Sequence, residues 1–181
     1  MKKKNIIILG IIVVIVIVII AIIVIRKNNV HKIADIINKN SNLPIKYMSK
    51  FDTKDSNLQK FNKLDNYMSK DFTDEDILLS YYGYPNDESE YCLGSIGLLT
   101  NKYNILGVTV GDNMKQAITK LEKYGFKLEK SEDYLEVTLK YNDFTIIMEA
   151  DLENSIDDKD SIVIEGIEIK ADSKYLGNRV Y

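Results

Sequence analysis

Residues 6–25 form an unbroken apolar run of 12 Ile, 5 Val, Leu9, Gly10 and Ala21, with no polar side chain. No other feature constrains the chain so strongly. At about 1.5 Å per residue, 20 residues make roughly 30 Å of helix, the thickness of a bilayer hydrocarbon core. Ile and Val are mediocre helix formers in water, but lipid forces every backbone group to be satisfied internally and so imposes a helix. On insertion scales, 17 such residues contribute about −5 to −10 kcal/mol. The expectation is a single transmembrane helix over 6–25. A cleaved signal peptide would have a shorter apolar region and a small-x-small cleavage site. Here Arg26-Lys27-Asn28-Asn29 follows the run directly, and no cysteine lies near its end to carry a lipid. An uncleaved, single-pass signal anchor fits better.

Orientation rests on a narrow margin. Lys2, Lys3 and Lys4 face Arg26, Lys27, Lys32 and Lys39 across the run, so the positive-inside count is nearly balanced. The compact tribasic start favours residues 1–5 as a cytoplasmic tip and a domain outside the cell membrane. The lipid bilayer is then the first expected partner.

The organisation read from the rest is a stalk over 26–44 and one domain over 45–181. Apolar residues at 30, 33, 36 and 37 give the stalk a short amphipathic helix, which Asn38 to Asn42 and Pro44 bring to an end. The domain has the size of one ordinary folded unit. With Lys2, Lys3 and Lys4 set aside, 21 basic side chains face 27 acidic ones, a balance of −6. Phosphate neutralisation needs clustered Lys and Arg, and only Arg26 and Arg179 are arginines, so nucleic acid is not an expected partner. Cys92 stands alone, which excludes an intrachain disulfide and any Cys-x-x-Cys motif.

Within the domain, Leu58, Phe61, Leu64 and Met68 fall at helical spacing and predict a helix over 56–70. Residues 77–82 and 91–100 read as strands, separated by turn residues from Gly83 to Asp87. The clearest stretch is 103–170. Met114, Ala117, Ile118 and Leu121 lie on one helical stripe, Asp112 is placed to cap it, and Gly125 stands where a C-terminal glycine belongs. Strands follow over 126–128, 134–140, 144–150 and 162–169, with Asn142-Asp143 as a hairpin turn. A helix followed by an antiparallel meander makes the expected class α+β, one sheet packed by one or two helices. A faint echo relates Ser95-Ile96-Gly97-Leu98 to Gly166-Ile167-Glu168-Ile169, each followed by Lys-Tyr, and suggests two related halves sharing a sheet.

Leu106-Gly107-Val108-Thr109-Val110-Gly111-Asp112, the helix, Lys123-Tyr124-Gly125-Phe126, the hairpin and the final Ile-x-Ile strand together resemble the small BamE/SmpA-like envelope modules. That resemblance covers residues 103–170. It implies a scaffold or binding role in the cell envelope and brings no catalytic residues.

No constellation for catalysis is legible. His31, the single histidine, lies in the stalk, so neither a Ser-His-Asp set nor a histidine metal site is expected in the domain. The acidic loop with Asp151, Glu153, Asp157, Asp158 and Asp160 lacks the calcium-loop pattern, and Asp87, Glu88 and Glu90 read as surface. No cofactor or metal is implied. Tyr81, Tyr82, Tyr84 and Tyr91 form the densest aromatic cluster and are the candidate binding face, although alternation on strands turns about half of them inward. The expected function is non-enzymatic: a membrane-tethered extracytoplasmic domain that binds or scaffolds an envelope protein or wall partner. The alternative is an ectodomain or regulatory subunit that senses a small ligand or wall fragment.

Overall fold

The computed structural model describes residues 2–65, 69–83, 91–132, 135–150 and 162–172, with side chains over 11–22, 31–64, 69–83, 91–131, 135–150 and 162–172. The chain divides into two compact units, Met1–Ile36 and Ile37–Tyr181.

The first unit is helical. Helix α1 runs Lys2–Asn40 without interruption, so the separate stalk helix of the sequence reading is part of a longer one. Its large apolar side chains over 11–22 are each 45–60% exposed. Among the described residues no helix is long and apolar enough to cross a membrane. On that finding the transmembrane helix at 6–25, the signal-anchor and single-pass readings, and the placement in the cell membrane do not stand. The bilayer loses its ground as an expected partner with them.

The second unit is mostly β, which corrects the α+β expectation. Eight strands form one sheet: β1 (Asn62–Asp65), β2 (Lys70–Thr73), β3 (Ile77–Tyr82), β4 (Cys92–Leu98), β5 (Lys127–Glu132), β6 (Glu136–Tyr141), β7 (Phe144–Ala150) and β8 (Ile164–Ala171). Their order is β1-β2-β3-β4-β8-β7-β6-β5, and every pairing is antiparallel. Besides the last turn of α1, the described helices of this unit are α2 (Met114–Glu122) and a single 3-10 turn at Leu58–Lys60. Among the described residues of 56–70, that turn is all that stands of the expected helix. Leu58 is buried in that turn, while 62–65 pairs with 70–73 as an edge hairpin. Cross-strand hydrogen bonds outweigh a local 3.6-residue periodicity of only four apolar side chains.

Alternation along the strands gives the sheet one dry face. Leu79, Ile96, Ile169, Ile146 and Leu139 share a register row across five strands and are fully buried. Leu98, Ile167, Met148 and Val137 make a second buried row. Met114, Ala117, Ile118 and Leu121 of α2 are buried as their stripe requires. The helix cap is Asn113 rather than Asp112: its side chain accepts from the Gln116 N–H at 3.2 Å. Asp112 instead accepts from Lys120 Nζ at 2.9 Å. At the other end Gly125, at φ +94°, allows a Schellman closure, with Phe126 N–H on the Leu121 carbonyl and Gly125 N–H on the Glu122 carbonyl.

Tyr47 anchors the irregular stretch that precedes β1. Its hydroxyl donates to the Gly94 carbonyl at 3.1 Å, and its ring meets Phe144 edge-on at 5.9 Å. The Asn38 amide bonds both the Tyr47 N–H and its carbonyl. Burial pushes the Tyr47 phenol well above its ordinary pKa, so it stays a neutral donor.

Candidate functional site

The face opposite the dry rows carries a shallow hollow at the centre of the sheet, with a volume of about 330 Å³. Four strands build it. Leu78, Ser80 and Tyr82 come from β3, Ser95 and Gly97 from β4, Gly166 and Glu168 from β8, and Ile147 and Glu149 from β7. Period-two alternation puts all nine on the same side.

Two glycines make the depression. A Cβ at Gly97 would lie 3.7 Å from the Leu78 Cβ, and one at Gly166 would lie 3.8 Å from Glu149 Oε2. Both are ordinary contacts, so these glycines leave space that larger side chains would fill. Ser80 and Ser95 are cross-strand partners on the floor, both buried. The Ser95 hydroxyl donates to Glu168 Oε1 at 2.7 Å, and Lys170 Nζ lies 3.6 Å from Glu168 Oε2. Burial raises the Tyr82 phenol above its ordinary pKa, opposed by a hydrogen bond with Ser80 and reinforced by Asp71 and Glu168. The hollow thus offers hydroxyl groups and carboxylates among apolar side chains, a mixture suited to recognition. Among the described residues there is no group of three His, Cys, Asp or Glu placed to hold a metal ion.

The four tyrosines singled out in the sequence do not share a surface. Tyr81 and Tyr91 are buried on the dry side, 1% and 5% exposed, where Phe51 meets them at ring distances of 5.4 and 6.5 Å. Burial takes the Tyr81 phenol up to about 12. Tyr82, one residue along, faces the open side, and Tyr84 lies outside the described residues. Asp87, Glu88, Glu90 and the acidic loop 151–160 also lie outside them. Cys92 is half-buried, its thiol donating to the Met48 carbonyl at 3.1 Å, and burial pushes its pKa up to about 11. Such a thiol is a poor nucleophile at neutral pH. His31 is exposed on α1.

Sequence reasoning missed Ser80, Ser95, Gly97, Gly166 and Glu168. A signal was present, because glycine inside a strand pattern marks a bulge or a close approach. Gly97 lies in the echoing segment of β4 and Gly166 in that of β8, strands that pair at the sheet's centre.

No family model and no curated protein matches the sequence. Among solved structures, a cysteine-rich secretory protein from Staphylococcus aureus is similar at 12% identity and a TM-score of 0.40. The likeness covers 64% of this chain and 42% of that one, so the chain spans less than half the length of that protein.

Proposed function

We propose that this chain is a non-enzymatic binding or scaffolding domain whose partner sits on the open face of the eight-stranded sheet. The observation that carries the reading is the hollow over β3, β4, β8 and β7, floored by Gly97 and Gly166. An antiparallel sheet can leave one face to water without cost. Here that face has a depression with Leu78, Tyr82 and Ile147 around buried, hydrogen-bonded serines, rather than the uniform cover of long charged side chains that a merely solvated face would carry. The resemblance of residues 103–170 to BamE/SmpA-like modules points to the same class of role.

Filling the hollow tests the reading. Gly97→Leu adds bulk where a Cβ meets nothing closer than 3.7 Å, so the fold should hold. A photo-crosslinking residue at Ile147, in full-length protein made in its own cells, should give a discrete adduct that Gly97→Leu abolishes. The same group at Thr119, exposed on α2, should give none. Adducts at both positions, or an Ile147 adduct indifferent to Gly97→Leu, would remove the open face from consideration.

A further inference from the structure

Charge is laid in rows across the open face of β5–β8. Register sets Glu132 opposite Glu136 and Glu136 opposite Glu149, so one row crosses three strands as glutamates. Another row sets Lys127 opposite Lys140, and Thr145 opposite Lys170. Like charges directly opposite one another weaken a sheet unless a cation relieves them. Lys130 Nζ lies 3.5 Å from Glu136 Oε1 and gives that relief at the middle of the acidic row. Glu149, at the end of the row, is exposed and makes no hydrogen bond or ion pair among the described residues.

The acidic row runs into the hollow. Glu149 and Glu168 are the charged residues among those that line it. Glu168 is engaged within the chain, since Oε1 accepts from the Ser95 hydroxyl and Oε2 faces Lys170 Nζ at 3.6 Å. Lys170 shares this face, opposite Ser95, and stands four residues past Gly166 on β8, about 13 Å away at the rise of a strand. The hollow is therefore graded, with an ammonium at its Ser95 end and an unrelieved carboxylate at its Gly166 end. A Cβ at Gly166 would lie 3.8 Å from Glu149 Oε2, so that carboxylate stands beside the space the glycine leaves. Ile147 and Leu99, the latter 51% exposed, add apolar surface to the lining.

We propose that the partner on the open face is a protein that sets a basic side chain into the Gly166 end of the hollow. The cationic head meets Glu149, and the methylene stem lies against Ile147 and Leu99. Lysine and arginine bury their stems along apolar surface while the head keeps a polar contact, and this end of the hollow offers both. The inference rests on the reading of the open face as the binding surface, and it adds the charge and the position of the anchoring group.

Two measurements on the full-length chain test it. In the first, the amide signals of Glu149 and Gly166 are followed by NMR as the peptide acetyl-Gly-Gly-Lys-Gly-Gly-amide is added, and again with its lysine Nε-acetylated. The lysine peptide should move both signals with millimolar affinity, at least about threefold tighter than the acetylated one. Glu149→Gln should remove that difference, and Glu122→Gln, exposed on α2, should preserve it. In the second, Glu149→Lys should cut the photo-adduct at Ile147 at least about fivefold in cells, while Glu122→Lys leaves its yield unchanged. Equal affinity of the two peptides, or no movement of either signal at about 10 mM lysine peptide, would overturn the basic side chain. An Ile147 adduct that withstands Glu149→Lys yet is abolished by Gly97→Leu would overturn it too, with the open-face reading left standing. Adducts indifferent to Gly97→Leu would remove that reading, and this inference with it.

Discussion

The half-sheet β1–β4 and the half-sheet β5–β8 are both four-stranded antiparallel meanders, joined through their last strands, where Ile96 faces Ile169 and Leu98 faces Ile167. Their supports differ. The strands of the first half are 4, 4, 6 and 7 residues long and those of the second 6, 6, 7 and 8. Ahead of the second half stands α2, capped at both ends and apolar on one stripe. Ahead of the first runs an irregular stretch, stitched to β4 by Met48 N–H to the Leu93 carbonyl and Leu93 N–H to the Ser49 carbonyl, and to the residue before β4 by Phe51 N–H to the Tyr91 carbonyl. A regular helix satisfies its own backbone and needs the sheet only for burial. An irregular segment must borrow its backbone partners from the sheet itself. The same topology is thus held by local order on one side and by non-local bonds on the other.

The largest effect should come from the seam between the halves. Ile96 and Ile169 are fully buried register partners, and Ile96→Asp would place an unpaired charge between them. The cost should be at least about 4 kcal/mol, enough to unfold a domain whose whole stability is about 5–15 kcal/mol. Circular dichroism should show loss of the β signal in a single transition. Persistent hydrogen-exchange protection of β6 and β7 alone would mean that the second half stands without the first, and the comparison would become one of two separable units.

That asymmetry also explains what the sequence made legible. Strand 144–150 was readable at its true bounds, as was the α2 stripe, because each carries its pattern locally. The boundaries of β6 and β8 were off by only one or two residues. The hairpin β1–β2 was not legible: Asn62-Lys63-Leu64-Asp65 has poor strand propensity, and it is a strand because Lys70-Asp71-Phe72-Thr73 pairs with it. Of the four tyrosines singled out by density, Tyr82 lines the hollow, Tyr81 and Tyr91 are buried on the dry side and Tyr84 lies outside the described residues. Only the side on which each one falls depended on register, and the bulge at Ser80/Tyr81 is not written in any local pattern. The hollow was missed because its makers are small residues, legible only once β4 and β8 are known to be neighbours.

Truncation of one large ring in each half measures the difference directly. Phe144 is fully buried and touches Tyr47, so Phe144→Ala should cost about 3–5 kcal/mol. Phe72, 8% exposed on a four-residue strand near the edge, can relax more easily, and Phe72→Ala should cost at or below the bottom of that range. Urea midpoints at constant slope provide the measurement. Equal costs would show that the short hairpin is packed as rigidly as the second half. A smaller change confined to the second half is Asn113→Ala, which removes the cap of α2 and should cost about 1 kcal/mol. If it left the urea midpoint unchanged, α2 would owe its order to burial alone.

The smallest effect belongs to the first half and depends on pH. Asp76, just before β3, accepts hydrogen bonds from Lys102 Nζ and from the Thr100 hydroxyl, the latter at 2.7 Å, and so ties the start of β3 to the loop after β4. The Lys102 bond first, then the Thr100 bond, holds its carboxyl below the ordinary value, and the same contact holds Lys102 above its own. A depressed carboxyl contributes stability that is complete above its unfolded value, about 3.9, and is lost as pH falls through the folded one. Lys102 contributes in the opposite sense: its share is complete below about 10.4 and is lost as pH rises through its raised value. The Lys102 side chain is 55% exposed, so solvent screens the pair and the effect should be modest. Asp76→Asn should therefore be less stable than the parent at pH 6 and converge with it in strong acid, where the parent's carboxyl is protonated too. Amide exchange at the start of β3 and at Leu99, whose N–H donates to the Asp76 carbonyl, should quicken on acidification before that of β6 and β7. A gap between the two proteins that stays constant from pH 6 to pH 2 would show that Asp76 acts through packing rather than charge, and the first half would then have no acid-labile seam of its own.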